Sequence, residues 1–182
     1  MTSEKRSLFS KSPITLKESL FLGFCAVSVI ILRMAFRWKL GLTGHQMFFT
    51  IFFFLIARGC VKRWFSATTT GFMVAIMSML VGLGQDGLLR FVRYLLPGMV
   101  VDIGGMVLPS MTRSYLLCFV MGILASSTSF VFTLAGDWLV GMDATVMLQH
   151  AFINSLGNML FGGTGSLLVP PVIKKLTAHG II

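Results

Sequence analysis

Charge is what this 182-residue chain has least of: Asp, Glu, Lys and Arg make up 12% of it, and only six residues are acidic. An ordinary soluble domain carries about 25% charged residues. With 55% hydrophobic residues and a mean hydropathy of +0.88, the composition excludes a soluble globular protein and points into a bilayer. Cysteine is also sparse. Cys25, Cys60 and Cys118 stand alone without a CxxC pair, which excludes a zinc ribbon or a disulfide framework and leaves them as small packing residues. The three histidines, His45, His150 and His179, fall on three different segments.

Catalytic motifs are missing as well. The chain contains no HExxH and no GxSxG. "GLGQDG", Gly82 to Gly87, spells GxGxxG, but that fingerprint works only between a strand and a helix, and here it closes an apolar run. "FGGTGS", Phe161 to Ser166, has no P-loop lysine and so no phosphate cradle. The expectation is a protein that is not an enzyme, holds no cofactor and needs partners for any ATP-driven step.

What is present is a series of apolar runs. A bilayer-crossing helix takes roughly 20 mostly apolar residues. Breaks at charge, Gly and Pro predict six spans, near 18–37, 44–59, 67–84, 88–108, 115–136 and 149–173, hence an all-α six-transmembrane-helix bundle over 18–173. Residues 1–17 and 174–182 then form cytoplasmic tails. The first segment is too polar for a signal peptide. The net charge of +9 raises the possibility of nucleic acid, but the bases lie between apolar runs, as membrane topology places them. With both termini inside, ten of the fifteen basic residues lie on the cytoplasmic side, and Arg33, Arg37, Lys39, Arg90 and Arg93 lie outside. This bias sets the orientation.

Polar residues inside apolar spans mark function or helix contacts, because a charge at a helix centre costs about 2.5–3.5 kcal/mol to insert. Asp102 is the sharpest case. It follows Arg90 and Arg93 in "RFVRYLLPGMVVDIGGMVL", where Pro97 is expected to turn an interfacial segment into a steeper span. Asp102 either serves as packing glue or lines a substrate or cation path. His150, Asn154 and Asn158 recur at i, i+4, i+8 and share one helix face. That stripe fits either a ligand or interhelical hydrogen bonds. Gly71, Ala75, Ser78 and Gly82 form a small-residue stripe, expected to be a helix contact. The cluster Ser126, Ser127, Thr128 and Ser129 is a weak signal, since such side chains bond their own backbone.

"GHQMFFTIFFFLIARG", "YLLPGMVVDIGG" and the Gly/Asn-rich last helix, in this order and length, resemble the substrate-binding S components of energy-coupling factor (ECF) type ABC transporters. The resemblance covers most of the chain as a layout. It implies a multi-pass protein of the bacterial cell (inner) membrane that captures a vitamin or similar micronutrient near the outer face. Carried over by position, the site would comprise Trp38, His45, Arg90, Arg93, Trp138, His150, Asn154 and Asn158, with Asp102 at its floor. The resemblance also implies docking onto a transmembrane coupling protein driven by an ATPase pair. Where the family has AxxxA on helix one, this chain has Ser19, Gly23 and Ala26. Two other functions suit the same layout: an autonomous ion-coupled secondary transporter or channel using Asp102, and a non-transport membrane scaffold.

Overall fold

The fold is described from a computed structural model, which covers residues 15–37, 44–61, 63–82, 87, 89–108 and 110–178. Among these residues every regular element is helical: α1 (Leu16–Arg37), α2 (His45–Cys60), α3 (Ser66–Leu80), α4 (Leu89–Val107), α5 (Tyr115–Leu139), α6 (Ala144–Leu167) and α7 (Val169–Ala178), with a 3-10 turn at Met111–Arg113. Three stretches are long and apolar enough to cross a membrane: Leu16–Phe36, Tyr115–Leu139 and the nearly continuous Ala144–Ala178. α2 and α3 have 16 and 15 residues. At 1.5 Å per residue they are about 24 and 22 Å long, short of the roughly 30 Å hydrocarbon core. α4 has 19 residues and carries Arg90, Arg93 and Asp102.

α1 begins with a capping box that is visible in "TLKE". The Thr15 amide donates to Glu18 Oε2 at 2.9 Å, and the Glu18 amide donates to Thr15 Oγ1 at 3.4 Å, satisfying two helix-end donors. One face of α1, with Leu22, Cys25, Ala26 and Val29, is buried, while Leu16, Leu20, Phe24 and Ile31 are exposed on the other. An exposed apolar stripe of this kind suits contact with lipid tails. The core is built on α2, where Ile51, Phe54, Leu55 and Ala57 are fully buried among α1, α3, α4 and α6.

The α3–α4 contact rests on missing side chains. A Cβ on Gly71 would lie 2.6 Å from the carbonyl oxygen of Tyr94, and one on Gly98 would lie 3.0 Å from that of Ala67. The small-residue stripe on this helix thus meets α4 through Gly71, Ala75 and Ser78, all buried. Gly82 lies beyond the helix at φ +68°, next to open space. The expected turn at Pro97 does not occur. α4 runs unbroken from Leu89 to Val107 with Pro97 fully buried inside it. The ring removes a single backbone donor, and close packing on α3 on either side of it holds the helix together.

α5 and α6 form the most extensive pair. Their crossing brings Gly122 and Ser126 onto Gly162 and Ser166; a Cβ on Gly122 would meet Ser166 Oγ at 2.6 Å. The last predicted span is divided at Leu168, after which α7 begins. Pro170 and Pro171 fall in its first turn, where the absent donors have no intrahelical partner to lose. Lys174 and Lys175 of α7 are exposed, and Val169, Pro170 and Ile173 are buried.

Candidate functional site

Two polar constellations stand out, one between α3 and α4 and one on α5 and α6. The first surrounds Asp102, which is 1% exposed. Its Oδ1 accepts from the Ala67 amide at 3.1 Å, and its Oδ2 accepts from the Thr68 amide and the Thr68 hydroxyl, each at 2.7 Å. Those amides are the first-turn donors of α3, which have no partners within their own helix. Asp102 therefore caps α3 from the neighbouring helix. Arg58 of α2 puts its Nε 3.8 Å from Oδ1, and its Nη1 donates to the Arg63 carbonyl. Arg63 in turn forks onto Glu18, with Nε to Oε1 and Nη2 to Oε2 both 3.3 Å. Gly105 leaves the space that the Arg58 side chain occupies.

At the other end of α3, Arg90 of α4 is 2% exposed and donates from Nη1 to the Ser78 carbonyl at 2.8 Å. Ser78 lies in the last turn of α3, where carbonyls are left over and a cation is favoured. α4 thus offers a carboxylate to the N-terminus of α3 and a guanidinium to its C-terminus. The spacing from Arg90 to Asp102 corresponds to about 18 Å of helix, matching the span from Ala67 to Ser78. Arg90 and Asp102 of "RFVRYLLPGMVVDIGG" are in this respect a clamp on a short helix.

The second constellation lies on α5 and α6. Asn154 Nδ2 donates to Thr133 Oγ1 at 3.1 Å, and Asn158 Nδ2 donates to Asn154 Oδ1 at 3.5 Å. One turn before Thr133, the buried Ser129 hydroxyl has no hydrogen-bond partner. One turn above Asn154, His150 Nδ1 is 2.8 Å from Asp137 Oδ2. Arg93 of α4 holds its guanidinium 5.2 Å from the centre of the Phe132 ring. Gly44, at φ +99°, brings the start of α2 against the same level of α6, since a Cβ there would lie 2.8 Å from the Gly157 carbonyl carbon and 3.0 Å from the Asn158 nitrogen. His45 follows directly.

α6 begins at Ala144, so the stretch before Gly157 extends about 20 Å past the first turn of α2. The ends of α5 and α6 overhang the shorter helix, with residues 138–146 all exposed. Asn154 and His150 sit on this overhang.

The structure joins Asn154 and Asn158, sets His150 one turn away against Asp137, places His45 next to the Gly44 that packs on Gly157 and Asn158, and rests Arg93 on Phe132, the neighbour of Thr133. It does not bring in Arg90, which turns to α3, or Asp102, which lies at the far end of α4. Trp138, one residue before the end of α5, has 70% of its surface exposed. Trp38 lies outside the described residues. On helix one, Ala26 is fully buried inside the chain, while Ser19 and Gly23 are partly exposed. Thr133 is a cluster member that sequence reasoning missed, and Ser129 stood out only within a weak serine cluster; with Ser126 they recur at spacings of three and four, a buried polar stripe on α5.

Each Asn carboxamide carries two donor hydrogens and an oxygen with two lone pairs, more than the Thr133–Asn154–Asn158 ladder uses. The cluster can therefore read a ligand's carbonyl or hydroxyl. Among the described residues no group of three or more His, Cys, Asp or Glu side chains is arranged to hold a metal ion. No family model matches the chain, and neither a curated protein nor a solved structure matches it.

Proposed function

We propose that the chain is a six-span membrane protein that captures a small molecule, a vitamin or similar micronutrient, at the overhanging end of α5 and α6. In this reading it is not an enzyme and has no resident cofactor. It hands its cargo to a separate transmembrane coupling protein powered by an ATPase pair. The Thr133–Asn154–Asn158 ladder carries the reading, because a row of carboxamides in an otherwise apolar span is costly unless something uses it.

In this reading the termini lie in the cytoplasm of a bacterial cell, an orientation that the bias of basic residues favours, with the ladder outward and the Asp102 end inward. α2 and α3 cross as short helices, and the overhang of α5 and α6 forms one wall of the space above them. Asn154 and Asn158 orient the ligand by hydrogen bonds, Arg93 offers a cation, and His150 with Asp137 borders the mouth. Asp102 is a poor candidate for an ion path, since both its oxygens are engaged by α3 and Arg58 approaches Oδ1.

Thermal unfolding of the purified protein against a panel of vitamins tests the reading. A compound present at a hundredfold over its Kd stabilises by about 2.7 kcal/mol. The expected result is one chemical class that raises the midpoint of wild type and not of Asn154→Leu. A panel with no stabilising compound, or one that stabilises both proteins equally, contradicts the proposal.

A further inference from the structure

A second feature of α5 and α6 lies on their outward side and does not rest on the proposed function. Ser127, Phe130, Phe152, Ser155, Leu156 and Met159 line a groove of about 280 Å³ between the two helices. Phe152 and Leu156 are 60% and 46% exposed on its rim, whereas Ser155 is 3% exposed and forms its floor. The Ser155 hydroxyl has no hydrogen-bond partner. Ser126 and Ser129 of α5 also lack a partner, but neither lines the groove; its other serine, Ser127, donates to the Leu124 carbonyl at 2.8 Å. An unmade hydrogen bond in an apolar groove is a standing cost that a suitable ligand would remove.

We infer that this groove binds a small lipid-soluble molecule with one hydroxyl or carbonyl group, which bonds Ser155. Depth and length select that class. Ser155 lies about 9 Å from the middle of the 35-residue stretch Ala144–Ala178. Phospholipid ester groups stay at the edge of the roughly 30 Å hydrocarbon core, about 6 Å further out, and the tails carry no polar atom, so a lipid tail can fill the groove but cannot supply the bond. The lining from Phe152 to Met159 covers two helical turns, about 10 Å, which suits a molecule of eight or so chain atoms and is too short for a packed partner helix.

The probe is a photoactivatable octanol carrying a diazirine, applied to the full chain in lipid nanodiscs, with the labelled peptides mapped by mass spectrometry. Saturable labelling of the Phe130 and Phe152–Met159 peptides is expected, competed by octanol and not by octane. Ser155→Ala should lower the labelling by about fivefold, the loss of one neutral hydrogen bond. Thr164→Ala, outside the groove and with its hydroxyl already engaged with Leu160 and Phe161, should leave it within twofold. Absent or non-saturable labelling, labelling spread evenly over the exposed faces of α1 and α5, equal competition by octane, or equal losses in the two variants would each overturn the inference.

Discussion

Replacing Asp102 with alanine should cost more than any other single change at the α3–α4 contact, and the size follows from what the carboxylate holds. Three donors of α3 converge on it at 2.7–3.1 Å, and Arg58 stands 3.8 Å away with 9% of its surface exposed. Removing one member of a buried ion pair strands the other and costs about 3–5 kcal/mol. Loss of a helix N-cap alone accounts for about 1 kcal/mol. Against a total stability of roughly 5–15 kcal/mol, Asp102→Ala should leave a protein that folds marginally. Asp102→Asn keeps an acceptor for one amide and loses the charge, so its cost should fall between zero and that of alanine. Adding Arg58→Met to Asp102→Ala removes the stranded cation. The double variant should therefore be more stable than the sum of the singles predicts, by an interaction of about 1–3 kcal/mol. The assay is reversible unfolding in mixed micelles followed by tryptophan fluorescence, with Trp64 near the site. An Asp102→Ala cost below about 1 kcal/mol, or strictly additive singles, would refute the trans-cap assignment.

Other expectations follow from the same contacts. Arg90→Met should destabilise by about 1.5–3 kcal/mol, the range for a hydrogen bond to a charged group, as read by the same unfolding assay. Gly71→Val should cost about 1–3 kcal/mol, because its side chain meets the backbone of Tyr94 and the helices must separate; hydrogen exchange should then rise in α3 and α4 before α5 and α6. Gly44→Ala combines a left-handed φ of +99° with backbone contact on α6, so it should lower the unfolding midpoint and weaken ligand retention together. Asn154→Leu should change stability by less than about 1 kcal/mol, in keeping with the small net worth of polar pairs between membrane helices, while abolishing ligand stabilisation.

Much of this arrangement was legible in the sequence, for identifiable reasons. The apolar runs marked the helices because a span must satisfy its own backbone, and the small-residue stripe through Gly71, Ala75 and Ser78 marked a contact because backbones approach closely only there. The i, i+4, i+8 spacing placed Asn154 and Asn158 on one face, and the structure joins them through a hydrogen bond. Asp102 stood out as a buried charge in need of a partner or a purpose, and the structure gives it partners in α3 and Arg58. Its partners were not legible, because Thr68 and Arg58 lie 34 and 44 positions away in sequence and only the packing of α3 on α4 brings them near. Pro97 misled for a local reason: its effect on a free chain is a turn, and tertiary packing overrides that preference. The start of α2 alongside the middle of α6, and with it the overhang, depends on a crossing at Gly44 and Gly157 that no periodicity encodes.

The central claim is that the outward carboxamide ladder holds a small molecule. Native mass spectrometry of protein purified gently, without stripping bound ligand, tests it most directly when wild type and Asn158→Leu are compared. The account predicts a discrete adduct on wild type, of a mass that names the substrate class, and its loss in the variant while the fold is retained. Identical spectra for the two proteins, with no adduct after incubation with the vitamin panel, would contradict it.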